Sequence, residues 1–292
     1  MEELYHKKCL SCSNERYIKS FKYESYGLIK CDNCGLIFMK QIPTKKELDL
    51  FYNTYSYVTE QEVSPITIKR YHSLLDEFEK FKKTNRIFDV GCGQGFFLKE
   101  AIKRGWKVFG TEFSPAAIEI CKNRGIEMKI GKLNPSDFKP NSFDIITSFE
   151  VLEHINNPKE EMENIAKLLR FEGLFYCTTP NFNSLVTRYI KNKSYIISYP
   201  EHLIYFTKTT LNHLIINAGF KIYKFKSTGF SPTMLFRSSQ ILNQNSVIVD
   251  ANLRTNIENN FFLYLVRNLV NKFLTLTNLG LTLKGYYIKK TN

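Results

Sequence analysis

The 292-residue sequence contains no run of about 18 consecutive apolar residues, so no segment reads as a membrane-spanning helix. Its first residues, Met1 to Lys8, are charged and lack the apolar stretch of a secretory signal. No repeat with a period of about 20–50 residues and no low-complexity tract occurs, which excludes solenoids, propellers and tether-like chains. Acidic residues are scarce: 28 against 41 basic ones, a net charge of +13, which favours anionic partners without choosing among them. The expected location is a reducing cytoplasm, where the seven cysteines serve as thiols or metal ligands rather than disulfides. What remains is a composition of 43% hydrophobic and 24% charged residues, that of a folded protein with room for one large domain and a small one.

The chain divides into residues 1–42, which hold two cysteine pairs, a helical connector over 43–84, and an α/β domain over 85–292 with a helical insertion near 230–280. In the connector, Leu74, Leu75, Phe78 and Phe81 recur at helical spacing. From residue 85, short apolar strands alternate with helices: Arg86–Val90, Lys107–Glu112, Glu127–Ile130, Phe143–Ser148, Leu174–Thr178, Lys221–Lys226 and a last strand over Leu281–Lys289. Ser114-Pro115 and Thr207 mark helix starts, and Gly105, Gly125 and Gly219 mark helix ends. This alternation predicts a doubly wound, mostly parallel seven-stranded sheet covered on both faces. Phe261–Leu276 reads either as a core helix or as an amphipathic helix resting on a membrane surface.

The segment Phe88-Asp89-Val90-Gly91-Cys92-Gly93-Gln94-Gly95 runs from a strand through three alternate glycines into a helix. Glycines there let the backbone turn sharply and let a ligand lie against the main chain, with free N–H groups at the helix start behind them. Glu112 ends the next strand, where a ribose presents its hydroxyls. Phe96 stands where a dinucleotide fold needs its third spaced glycine, and Asp89 would repel a pyrophosphate. A nucleoside carrying a sulfonium and an ammonium suits this turn better.

These residues, with Gly110-Thr111-Glu112-Phe113-Ser114, Ser142-Phe143-Asp144 and Glu150-Val151-Leu152-Glu153-His154-Ile155, resemble the class I S-adenosylmethionine-dependent methyltransferases over residues 85–228. The resemblance implies a Rossmann-like fold in which Asp89 orders the loop and the methionine part of S-adenosylmethionine. Gly91, Gly93 and Gly95 form that loop, Glu112 holds the ribose, Phe113 lies by the adenine and Phe149 lies below the cofactor. Lys132 stands where many relatives carry an acid, so the adenine is expected on backbone N–H groups by Leu133.

Cys9-x-x-Cys12 and Cys31-x-x-Cys34 match the spacing of a closed four-thiolate zinc ribbon, a structural site. A domain of about 40 residues needs such a staple. Cys92, Cys121 and Cys177 read as small buried residues.

Methyl transfer to oxygen, or to carbon beside a carbonyl, requires removal of a proton, and histidine suits that at neutral pH. His202, in Tyr199-Pro200-Glu201-His202, follows the fifth strand and is the favoured base; His154 follows the fourth. The ribbon, the aromatic stretch from Phe51 to Tyr57 and Glu201-His202 are similar to bacterial sugar methyltransferases of polysaccharide biosynthesis, including nucleotide-sugar C-methyltransferases. That similarity implies His202 as base, Glu201 as its orienting partner, and Tyr55 and Tyr57 closing the cofactor pocket. The expected acceptor is a hydroxyl or activated carbon of a sugar or nucleotide-sugar; a quinone or lipid precursor, and RNA, are the alternatives. No basic stripe interleaved with aromatics is present, so nucleic acid is the least favoured partner.

Overall fold

The computed structural model describes residues 4–54, 62–190, 197–229 and 260–291. The expected Tyr55 and Tyr57 of the cofactor pocket, and residues 230–259 of the insertion, lie outside these.

The centre is a seven-stranded sheet. In chain order its strands are β3 (Arg86–Val90), β4 (Lys107–Glu112), β5 (Glu127–Ile130), β6 (Phe143–Phe149), β7 (Leu169–Pro180), β9 (Phe220–Thr228) and β10 (Thr282–Lys289). Their order across the sheet is β5-β4-β3-β6-β7-β10-β9, parallel from β5 to β7, with β10 antiparallel to both its neighbours. Successive side chains alternate between two apolar layers, as the pleat demands. Ile87, Ile145, Leu174, Tyr176 and Tyr286 pack under one face. Phe88, Ile146, Phe175, Cys177 and Tyr287 pack under the other.

Crossovers run through helices α3 (Phe96–Ile102), α4 (Pro115–Asn123) and α5 (Pro158–Leu168), and α7 (Lys208–Asn217) leads into β9. Their starts are chemically marked. Ser114 Oγ accepts from Ala117 N ahead of Pro115, and Thr207 exchanges capping bonds with Thr210. Each such cap is worth about 1 kcal/mol. The connector forms α1 (Lys45–Thr54) and α2 (Pro65–Phe78), and α2 buries Leu74, Leu75 and Phe78 against the sheet. The connector is clamped to the sheet by Asp144. This fully buried carboxylate accepts from Arg170 Nε at 2.6 Å and from the main-chain N–H groups of Lys83 and Thr84 at 2.8 and 2.7 Å.

One element differs from the sequence reading, and the structure orients another that the sequence left open. β7 starts at Leu169, not Leu174, because the run Arg170-Phe171-Glu172-Gly173 breaks the apolar pattern; the register slips there, with Glu172 at φ +59°. Helix α8 (Phe261–Thr277, with α6 at Leu185–Ile190 before it) turns its polar side inward. Asn271 Oδ1 accepts from Gly229 N, and Thr275 Oγ1 donates to Ser227 O. Leu274 is buried, but most of its other apolar side chains face outward, with Leu269 68% and Leu276 74% exposed.

The N-terminal segment forms strands β1 (Leu28–Lys30) and β2 (Ile37–Met39), antiparallel to each other. A third strand, β8 (Ile204–Tyr205), comes from far along the chain and pairs with β2. Leu36, Phe38 and Cys31 share one apolar cluster with Phe88 and Phe175, so ribbon and sheet are packed together.

Candidate active site

β3 delivers its chain into the glycine turn at the carboxyl edge of the sheet. Gly91, Gly93 and Gly95 all adopt left-handed backbone, with φ of +63°, +53° and +71°. A Cβ at Gly91 would meet Val151 Cγ2 at 2.8 Å, and one at Gly95 would meet Cys121 Sγ at 2.8 Å. Both conformation and space thus require glycine, and the bare main chain is left for a ligand.

Asp89 lies beneath this turn, 3% exposed, and accepts from Thr147 Oγ1 at 2.6 Å. Burial pushes its carboxyl up to about 7; the Thr147 hydroxyl opposes this and the charge of Glu112 adds to it. Such a carboxylate is short of a positive charge, which a ligand bearing a sulfonium or an ammonium would supply. The chemistry of the donor set therefore fits S-adenosylmethionine. Glu112 binds across the turn: one oxygen accepts from Gly93 N at 3.0 Å, the other from Phe113 N at 2.8 Å and Ser114 N at 3.1 Å. Phe113 itself is 56% exposed and lies beside Gly131. Leu133 is buried in the core, so only its main chain can serve a ligand.

Phe149 ends β6 and packs among Phe97, Tyr176 and Tyr71, with ring centroids 5.0, 5.5 and 6.1 Å away. Tyr71, beside Phe149 and within electrostatic reach of Asp89, is a residue that the sequence did not single out. Its phenol is pushed up to about 12, first by burial and then by the charge of Asp89. Its only signal was the helical spacing to Leu74, Leu75 and Phe78.

The two histidines come together on the same edge, with ring centroids 5.0 Å apart. His154 closes a 3₁₀ turn at Leu152–His154 after β6, and its Nδ1 lies 2.6 Å from Glu201 O. A carbonyl can only accept, so Nδ1 carries the proton and Nε2 keeps its lone pair. Burial lowers the pKa of His154 below its usual value, which favours the neutral ring. Glu201 thus meets His154 through its main chain, while its carboxylate accepts from Ser198 Oγ at 3.0 Å. His202 is anchored by its N–H to Ser198 O and by its carbonyl, which accepts from Tyr205 Oη at 2.9 Å.

A third side chain joins this pair. Glu153 is 2% exposed; its Oε2 accepts from Thr179 Oγ1 at 3.0 Å, and its Oε1 has no hydrogen-bond partner among the described residues. Burial and the neighbouring Glu150 charge hold its carboxyl well above the usual range. From sequence, Glu153 reads as a helix-start residue, and only its neighbour His154 is a candidate for the site.

The ribbon brings its four cysteines together, all Sγ atoms within 4.8 Å of one another. Cys9 and Cys34 are 3.5 Å apart, and Cys12 and Cys31 3.6 Å. Tetrahedral zinc with bonds of about 2.3 Å would hold its sulfurs about 3.8 Å apart, so the donor set fits that ion. Gly35, at φ +74° after Cys34, makes the knuckle, and its N–H donates to Cys31 O.

A family model described as "Methyltransferase domain" matches residues 66–224. Among curated proteins, the ubiquinone biosynthesis O-methyltransferase of Idiomarina loihiensis is 30% identical over 105 residues, 34% of this chain and 43% of that protein. The one from Coxiella burnetii is 31% identical over 107 residues, 35% and 46% of the respective chains. The matches thus span less than half the length of these relatives. Among solved structures, a phosphoethanolamine N-methyltransferase of Haemonchus contortus bound to S-adenosyl-L-methionine is similar at a TM-score of 0.54. It is 16% identical, covering 87% of this chain and 63% of that one. An S-adenosylmethionine-dependent methyltransferase of Archaeoglobus fulgidus gives 0.53 at 16% identity, covering 83% and 99%. At such identities the structures speak to the fold.

Proposed function

Because the chain belongs to the methyltransferase-domain family of S-adenosylmethionine-dependent enzymes, we propose that it moves the methyl group of that cofactor to a hydroxyl of a small-molecule acceptor. The observation that carries this is the histidine pair beside the cofactor turn, with His154 held as a neutral ring. S-adenosylmethionine supplies an electrophilic methyl on a sulfonium. Asp89 and the glycine turn bind its charged amino-acid part, and Glu112 binds its ribose. The His154–His202 pair draws the proton from the acceptor hydroxyl as its oxygen attacks the methyl carbon. The carbon–sulfur bond breaks with its electrons going to sulfur, leaving a methyl ether and S-adenosylhomocysteine. Cys9, Cys12, Cys31 and Cys34 hold a structural zinc ion, and the enzyme works in the cytoplasm.

For the acceptor, our reading is a sugar-linked substrate carrying an anionic group, such as a nucleotide-sugar. Lys284 and Lys226 stand directly opposite each other on β10 and β9, an unfavourable like-charge pairing that an anion would relieve. Lys284 is lowered to about 8 by burial and by the charges of Arg70 and Lys226. It lies within electrostatic reach of Glu150 at the site. A quinone or phenolic lipid precursor is the second reading, favoured by the names of the curated relatives and by the outward apolar side of α8, which would rest on a membrane surface. No helix among the described residues is long and apolar enough to cross one. An acceptor screen with radiolabelled cofactor over nucleotide-sugars and catechol-type quinone precursors tests this. Turnover should appear with one class and fall at least about tenfold in His202→Ala while cofactor binding persists. Unchanged turnover would remove His202 from the chemistry.

A further inference from the structure

We propose that Glu153, His154 and His202 form a binding site for a divalent metal ion at the acceptor end of the pocket, separate from the cysteine cluster. One ligand atom from each of the three lies within 4.8 Å of the others. The Glu153 carboxylate is the unusual member. It is almost wholly buried, one oxygen is fixed by the Thr179 hydroxyl, and the other has no hydrogen-bond partner among the described residues. That second oxygen is 3.9 Å from His154 Nε2, too far for a hydrogen bond and close enough for one cation to bridge both atoms. An unsatisfied carboxylate oxygen in a buried position is costly, and a cation is a partner that would satisfy it.

The surrounding contacts are those of a metal site. A histidine ligand characteristically donates its other ring N–H to a carbonyl or carboxylate, which fixes the tautomer. His154 does this through Nδ1 to Glu201 O, so Nε2 keeps its lone pair, 3.9 Å from Glu153 Oε1. The ligating carboxylate is itself held, by Thr179. Main-chain bonds lock the geometry: Leu203 N donates to Glu153 O at 2.7 Å, tying the segment of His202 to that of Glu153. Three protein ligands leave coordination positions open, as in catalytic rather than structural sites. Two imidazoles and one carboxylate suit Zn²⁺, Fe²⁺, Co²⁺ or Mn²⁺ better than Mg²⁺ or Ca²⁺.

The consequence rests on the methyl-transfer reading above. An acceptor hydroxyl taking an open position on the ion would be acidified by it, and its proton would pass to solvent water before the oxygen attacks the methyl carbon. With their lone pairs held by the ion, the histidines would act on the acceptor through it, in place of taking the proton themselves.

The test is a Co²⁺ titration of the full chain carrying zinc on its cysteines, followed by visible absorption. One further equivalent should bind with ligand-field bands and without the near-ultraviolet thiolate-to-cobalt band that exchange into the cysteine cluster would give. Glu153→Gln, which preserves shape, should weaken Co²⁺ binding by about tenfold or more. His154→Ala/His202→Ala together should abolish it, while the melting temperature stays cooperative and the zinc content stays at one. The absence of Co²⁺ binding beyond the cysteines, or binding untouched in the double variant, overturns the site. Calorimetry with S-adenosylmethionine on the same protein separates the two ideas: metal binding without cofactor binding would sink the methyl-transfer reading and leave the metal site standing.

Discussion

Asp89→Asn should stabilise the free protein and cripple its cofactor binding, and both effects follow from one buried carboxylate. Asp89 is raised from an ordinary 3.8 to about 7, chiefly by burial. The folded protein therefore holds this proton more tightly than the unfolded chain. Stability on this account is fully present below the ordinary carboxylate range and is lost as pH rises to about 7. Such a rise corresponds to roughly 4 kcal/mol at about 1.4 kcal/mol per tenfold in proton affinity, an upper bound for the cost of the bare charge at higher pH. Asparagine removes that cost. At about 2–4 °C per kcal/mol for domains of this size, the ligand-free variant should melt about 8–16 °C above the wild type near pH 8, and by less than about half of that near pH 5. A cationic ligand reverses the sign. It needs the ionised carboxylate, so wild-type affinity for S-adenosylmethionine should fall about tenfold for each pH unit below about 7. The variant should show a flat profile and, near pH 8, an affinity about 10–100-fold weaker, the loss of charge-assisted contacts. Differential scanning fluorimetry and calorimetry at both pH values read these quantities. A variant that melts no higher than wild type near pH 8 and binds the cofactor equally well would refute the reasoning.

Two further outcomes are expected. Cys31→Ser, which takes one thiolate from the proposed zinc site, should lower kcat by about tenfold or more yet shift cofactor affinity by less than about threefold. The reason is that β2 pairs with β8, and Met39 N donates to Leu203 O, right beside Glu201 and His202; unchanged kcat in the Cys31→Ser variant would contradict it. Asp144→Ala leaves the Arg170 guanidinium buried without its carboxylate, which costs about 3–5 kcal/mol. A thermal melt should therefore fall by about 6–20 °C, and a shift of only a degree or two would show that the clamp contributes little.

Much of the sheet is legible in the chain. β3, β4 and β5 run from Arg86, Lys107 and Glu127 to the ends expected, because each apolar run is bounded by a turn residue or a cap such as Ser114-Pro115. The cysteine pairs and the glycine turn are legible for the same reason, as short spacings with one geometric use. The rest depends on contacts distant in sequence. β8 is two residues long and exists only because β2, some 165 positions earlier, offers an edge. The amphipathic pattern of α8 tells which stripe is apolar but not that Asn271 and Thr275 would bond inward to Gly229 and Ser227. Tyr71 reaches Phe149 from the connector, and Glu153 comes close to His202, 49 positions later. Side chains that depend on a remote partner carry no local signature.

The most direct test of the account is isothermal titration of the purified chain with S-adenosylmethionine, alongside a nicotinamide dinucleotide and the Glu112→Ala variant. The account predicts one S-adenosylmethionine bound with a dissociation constant of about 1–100 μM, a loss of affinity of at least about tenfold in the folded variant, and no heat with the dinucleotide. Binding of the dinucleotide in place of S-adenosylmethionine would contradict it.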